Sequence, residues 1–243
     1  MDTYVAGLEL PIARTRLAGF RPAGGDDLDM VVNDLWNVDL CQAMYPALHG
    51  CEVSLRNTIH AAASAHDGSP FWFDQADVLL PAQHHMLRKA RRKLTSNRNG
   101  HSADDIVAAL TMGFWASLFN RPFEYPAPPA PASRLAWHDS HSHASPLLLA
   151  AFPHAPRRFR SRNALSGHIN RILWLRNRVF HHEPIWNRAD LRREHQKLLQ
   201  TIGWISPGMQ HTIALCDRFP EVLNDGRVVA EAKIRTRFET IEK

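Results

Sequence analysis

The string WLRNRVFHHEPIWNR, residues 174–188, gathers side chains suited to one kind of chemistry. Arg176 offers forked N–H donors that match phosphate oxygens as charge builds on them. His181 carries an imidazole that holds or releases a proton near neutral pH. Asn177, beside Arg176, is a neutral group able to orient either the phosphate or the histidine. Cleavage of a ribose phosphate needs such groups. One proton must leave the 2′-hydroxyl, one must reach the departing 5′-oxygen, and the growing phosphate charge must be met. That chemistry requires no metal and no other cofactor. A plainer reading takes the same residues as a buried arginine–glutamate pair with His181 and His182 capping a helix end.

The element that must position these groups is a helix over roughly 162–182. On an ideal helix Leu165, Ile169, Ile172, Val179 and Phe180 share one side. Arg176 falls within that apolar stripe, where a charge must be paired or meet an anion. Asn177 and His181, four apart, share a second face, with Trp174 near it. Arg176 and His181 stand about 140° apart, so one helix alone makes a poor site. Pro184 disfavours helical geometry at Glu183, which predicts a helix end near His182 and places His181 in the last turn. There the helix dipole favours a protonated imidazole.

A second polar stripe has Glu52, Arg56 and His60 spaced by four. Glu before Arg at this spacing is the favourable ion-pair order, worth about 0.2–0.5 kcal/mol on a surface. Leu55-Arg56-Asn57 also echoes Leu175-Arg176-Asn177, which suggests that Glu52 and Arg56, with Asn57 beside them, support the motif helix. Two cationic runs stand out. Arg88, Lys89, Arg91, Arg92 and Lys93 lie on one helix, and Arg157, Arg158 and Arg160 precede the motif helix. Such runs are usually solvated faces; if the substrate is RNA, they are the best groups to track its backbone. The segment HDSHSH (138–143) and the pair His84-His85 lack metal-ligand spacing, so no metal site is expected.

Composition sets the bounds. The chain has 243 residues, 44% of them hydrophobic, a formal charge of +5 and a pI near 9.4. That suffices for a sizeable core, and the basic balance favours polyanionic partners. Three cysteines without a CxxC pair argue against a disulfide framework and for a reducing cytoplasm. No secretory signal is apparent at the N-terminus, and the best apolar run (106–119) is too short for a membrane span.

Alternating strand patterns are nearly absent, which predicts an all-α fold. Residues 1–25 read as an irregular N-terminal segment. Residues 26–220 read as a single helical domain, interrupted by a loop-rich stretch over 121–161 with a long Pro-rich loop. Residues 221–243 read as a short tail element. Asp26 or Asp27 is expected to cap the first long helix, Pro46 to kink or divide it, and Ser102 to cap a helix over 102–119 with Asp105.

The motif string carries a family resemblance. Arg176-Asn177-x-x-x-His181 matches the R-x(4–6)-H signature of HEPN domains. LRNRVFHHEPIWNR looks like the Abi-like (abortive infection) branch of that superfamily. CEVSLRNTIH (51–60), IVAALTMGFWASLF (106–119) and LLLAAFP (147–153) fit the same branch, so the resemblance spans roughly residues 35–190. It implies a HEPN-like helical bundle with additional helices and a metal-independent endoribonuclease acting in phage defence or toxin-like growth arrest. It further implies a homodimer with a composite site, RNA as partner, and a regulating antitoxin or RNA. Arg176 and His181 would be the catalytic pair and Asn177 the polar accessory; His182, Glu183 and Trp186 match branch-specific positions. The same superfamily includes non-catalytic modules that bind RNA or a protein partner.

Overall fold

The computed structural model describes residues 6–75, 78–94, 100–123 and 146–241, which are helical with no strand among them. A π-helical turn, Glu9–Ala13, leads into α1 (Arg14–Ala18) and the long α2 (Asp27–Asp67). After a 3-10 turn at Trp72–Asp74 come α3 (Pro81–Lys93), α4 (Ala103–Ala109) and α5 (Met112–Ser117). Helix α6 (Pro146–Ala150) and a 3-10 turn at Arg157–Phe159 precede α7 (Arg162–Phe180). Helices α8 (Leu191–Ile205), α9 (Pro207–Ala214) and α10 (Phe219–Ile241) close the order. Most of the predicted Pro-rich loop, and all of HDSHSH, lie outside the described residues. Among the described residues no helix is long and apolar enough to cross a membrane.

The chain forms two compact units. The first comprises Met1–Leu48, Leu175–Gln196 and Ala214–Lys243; the second comprises His49–Trp174 and Lys197–Ile213. Four helices, α2, α7, α8 and, by its last residue Ala214, α9, begin in one unit and end in the other.

The first unit has a small core of Leu17, Phe20, Met30, Val31, Val32, Ala230 and Ile234. Helices α2 and α10 approach closely: a Cβ on Gly226 would stand 2.8 Å from Trp36 Cδ1. Trp36 Nε1 donates to the Val222 carbonyl at 2.9 Å, which satisfies the indole at that contact. Buried Asn33 donates to the Phe20 carbonyl (3.0 Å) and accepts from Arg227 Nε (3.2 Å). The second unit is built on a larger core with an aromatic centre, in which Trp72, Phe73, Phe114, Trp115, Phe119 and Phe152 are fully enclosed. Edge-to-face pairs such as Phe114–Trp115 (4.9 Å) and Phe119–Phe152 (5.7 Å) order it.

Several sequence expectations meet their local chemistry. Asp26 caps α2: its Oδ1 accepts from Asp29 N at 2.9 Å, and Asp29 Oδ2 accepts from Asp26 N at 3.3 Å. Ser102 and Asp105 form the same reciprocal box at α4. Others are corrected. Pro46 does not divide α2, which runs unbroken through it. Proline inside a helix costs about 3 kcal/mol, yet Leu40, Met44, Ala47, Leu48 and Cys51 are buried on either side of it. Each such burial returns about 1.5–3 kcal/mol for a large apolar side chain. The 102–119 helix is instead two, broken at Leu110, which is extended (φ −72°, ψ 136°). Ile106 and Val107 before the break and Phe114, Trp115 and Ala116 after it enter the same core. Residues 1–25 are not wholly irregular, since they hold the π-helical turn and α1. The tail is a 23-residue helix, α10, begun where Asp217 Oδ1 accepts from Phe219 N at 3.1 Å. Asn224, Asp225 and Gly226 are weak helix formers, and tertiary packing of Phe219, Ala230 and Ile234 carries the helix through them.

Asp217 also receives His195, whose Nε2 lies 3.1 Å from Asp217 Oδ1 and whose ring stacks on Phe219 at 4.3 Å. Burial lowers the His195 pKa from the ordinary 6.5, with the Asp217 carboxylate pulling the other way. His60 is lowered likewise by burial, with Asp104 opposing. The unfolded chain therefore takes up protons at these sites before the folded chain does. Stability from them is present above pH 6.5 and is lost as pH falls through the folded values. Urea unfolding midpoints are expected to drop between about pH 7.5 and about pH 5.5, and less steeply in His195→Gln. Equal slopes in the two proteins would remove His195 as a source.

Candidate functional site

Helix α7 carries the motif to its C-terminal end, and the residues Leu165, Ile169, Ile172, Leu175 and Val179 form its buried stripe. The stripe passes through Leu175, three residues after Ile172 and four before Val179, and not through Arg176. Arg176 is half-buried and its guanidinium lies 4.2 Å over the Phe180 ring, four residues on. Phe180, expected within the apolar stripe, is 38% exposed. Asn177 and His181 are exposed.

The end of α7 is a Schellman turn. His182 N donates to the Val179 carbonyl (3.2 Å) and Glu183 N donates to the Arg178 carbonyl (2.8 Å). His181 N still donates to the Asn177 carbonyl at 2.8 Å, so His181 remains in helical register with Asn177. His182 occupies the left-handed position, at φ 58°, normally given to glycine. A hydrophobic contact usually accompanies this turn. Here Arg178 and Glu183 form an ion pair at 3.1 Å in its place, and Arg178 Nη2 donates to the Pro184 carbonyl at 2.9 Å. The glutamate of the motif thus pairs with Arg178, which sequence reasoning had not singled out. A spacing of five from Arg178 to Glu183, followed by Pro184, is the signal that would have found it.

The chain beyond the turn is held from α2 and α1. The buried Asn37 Oδ1 accepts from Ile185 N at 2.7 Å and from Trp186 N at 3.2 Å. Arg16 donates to the His182 carbonyl, and Trp186 Nε1 donates to the Gly19 carbonyl at 3.4 Å. No local pattern marks Asn37 or Arg16, because their role exists only once distant segments meet. Beside the turn lies a cleft of ≈ 490 Å³ whose lining includes Arg16, Asp34, Val38, Cys41, Tyr45 and Phe180. Burial pushes the Cys41 thiol up to about 11 and Cys51 up to about 12, so neither supplies a thiolate nucleophile at neutral pH. Burial also raises the Asp34 carboxyl, with Arg16 opposing.

The other predicted groups fall in the second unit. Glu52, Arg56 and Asn57 belong there, whereas Arg176, Asn177 and His181 belong to the first. Arg56 Nε donates to Asn57 Oδ1 at 3.4 Å. His60 leaves the expected polar stripe: its Nδ1 accepts from Trp72 Nε1 at 3.0 Å and its Nε2 lies 3.6 Å from Asp104. Helix α3 buries Gln83, Leu87 and Ala90, and exposes Arg88, Lys89, Arg92 and Lys93. Arg91 is held by Asp74 at 2.7 Å and lies over Phe73. Arg157 and Arg158 are exposed, while Arg160 closes its own loop onto the Ala155 (2.8 Å) and Pro153 (3.0 Å) carbonyls. Among the described residues no cluster of three His, Cys, Asp or Glu side chains is placed to hold a metal, and the His181-His182-Glu183 triplet forms none.

Compared with protein-family models, curated proteins and solved structures, the chain matches none.

Two substitutions test the turn. Asn37→Leu leaves the buried Ile185 N–H and the half-buried Trp186 N–H without their acceptor and is expected to cost about 2–4 kcal/mol in urea unfolding. A loss below about 0.5 kcal/mol would show that Asn37 does not anchor the segment. His182→Gly relieves the left-handed strain and is expected to raise stability by about 1 kcal/mol; a lower melting temperature would contradict the strain.

Proposed function

We propose that the protein is a metal-independent endoribonuclease of the HEPN type, in its Abi-like branch. One observation carries the reading: Arg176 and Asn177 lie in the last turns of α7 and His181 follows its end in register with Asn177, with Arg176 half-buried and the other two exposed. In the reaction a base takes the 2′-hydroxyl proton and the 2′-oxygen attacks the adjacent phosphorus. The bond to the 5′-oxygen breaks, and an acid returns a proton to that oxygen. The products end in a 2′,3′-cyclic phosphate and a 5′-hydroxyl. His181 serves as the proton carrier and Arg176 meets the phosphate charge, with Asn177 orienting one of them. Because one copy offers one His181, two copies of the chain would complete a two-proton site. The biological setting this reading implies is phage defence or toxin-like growth arrest, under control of an antitoxin or regulatory RNA.

A second reading has one observation in its favour. The Arg176 guanidinium is engaged over the Phe180 ring at 4.2 Å, which suits a structural role in a non-catalytic module that binds RNA or a protein.

Incubation of the purified chain with mixed RNA in EDTA separates the two. Cleavage to cyclic-phosphate ends is expected, reduced about 10²–10⁴-fold in His181→Ala and about 10²–10³-fold in Arg176→Ala. Salt-sensitive RNA binding without cleavage supports the module instead. Cleavage that both variants retain would remove this site from the reaction.

A further inference from the structure

The cleft beside the motif turn has a composition that the phosphate chemistry does not use. One row of α2 side chains, Asp34, Val38, Cys41 and Tyr45, faces Val179 and Phe180 at the end of α7 across ≈ 490 Å³. Pockets for small organic groups run about 300–1,000 Å³, mostly apolar with a few polar groups. The Tyr45 and Phe180 rings stand 5.9 Å apart, inclined at 41°, so neither covers the other flat. Tyr45 is 51% exposed, and Phe180 38%. Aromatic side chains at a cleft present π-faces on which a base can stack. The Phe180 ring also carries the Arg176 guanidinium at 4.2 Å. A flat apolar face therefore lies one side chain away from a cation that matches a phosphate. Asp34, half-buried at the rim, adds a hydrogen-bonding group beside Arg16.

We propose that this cleft is a nucleobase site, in which a base of single-stranded RNA stacks on the open face of Tyr45 beside Phe180 while its own phosphate meets Arg176. The proposal rests on the RNA reading of the same motif. The juxtaposition of stacking face and guanidinium favours a nucleotide over an apolar helix, which would use the rings and leave the cation and the carboxyl at the rim buried without purpose. Asp34 and Arg16 then face the edge of the base, where they select among bases by donor and acceptor pattern.

The test uses the full chain carrying His181→Ala, titrated with a 2′-O-methyl RNA hexamer that contains one 2-aminopurine. Stacking on Tyr45 is expected to quench the fluorescence. Tyr45→Ala is expected to weaken binding about 5- to 150-fold, and Tyr45→Phe to restore it, as a stacking contact demands. Tyr45 is exposed, so the alanine variant should fold, and its circular dichroism checks this. Equal affinity and equal quenching in all three proteins would overturn the site. So would a Tyr45→Ala protein that loses self-association in sedimentation but binds the hexamer unchanged, since the cleft would then receive a second copy. Tyr45-dependent binding in a wild-type chain that never cleaves RNA would uphold the base site and sink the nuclease reading. Cleavage by the wild type with Tyr45-independent affinity would do the reverse.

Discussion

The carboxamide of Asn37 is the contact on which the motif's geometry depends. Its single oxygen accepts two successive backbone N–H groups, of Ile185 and Trp186, in a buried setting. Such donors have no water to turn to, so losing the acceptor costs more than an ordinary hydrogen bond is worth. The residues just before them form the Schellman turn that ends α7. With the strand of chain after the turn fixed to α2, the strained backbone of His182 persists, and the last turn of α7 is held in one place. Arg178, Glu183 and the Pro184 carbonyl lock the turn from within. His181 then follows the end of α7 directly, in a turn anchored on both sides.

The arginines of the motif divide their work. Arg178 is spent on the turn, and Arg176 remains near the exposed histidine and the cleft. The same division runs through the basic clusters. Arg91 is tied to Asp74, and Arg160, though exposed, is bonded to two loop carbonyls. Charge density in the sequence thus does not show which cations also serve the fold.

Much of the fold was legible from local chemistry. The caps at Asp26 and Ser102, the basic α3 and the span of α7 follow from side chains that act within a turn or two. The composition of the motif was legible too, but its wiring was not. Helical angles put Arg176 within the buried stripe, whereas Leu175 takes the buried place and Arg176 lies half-buried over the Phe180 ring. Glu183 looked like a partner for Arg176, whereas the turn geometry delivers it to Arg178. Asn37, Arg16 and Tyr45 lie more than a hundred positions from the motif in the chain, and no periodicity connects them. Helix α10 was hidden behind Asn224, Asp225 and Gly226, since only the contact with Trp36 explains a glycine inside that helix.

The first unit is assembled from three separated stretches of chain, with Ala230 and Ile234 completing the core begun by Leu17 and Phe20. Such closure joins residues far apart in sequence and is slow relative to local helix formation. It also gives the unit a position in the order of synthesis. A ribosome releases α7 well before α10, so Arg176 and His181 emerge while the core of their own unit is unfinished. The anchoring of their turn on α2 is available early, but the packing that steadies α2 against α10 is not. The nascent chain therefore carries the motif before it carries the scaffold that completes the unit's core.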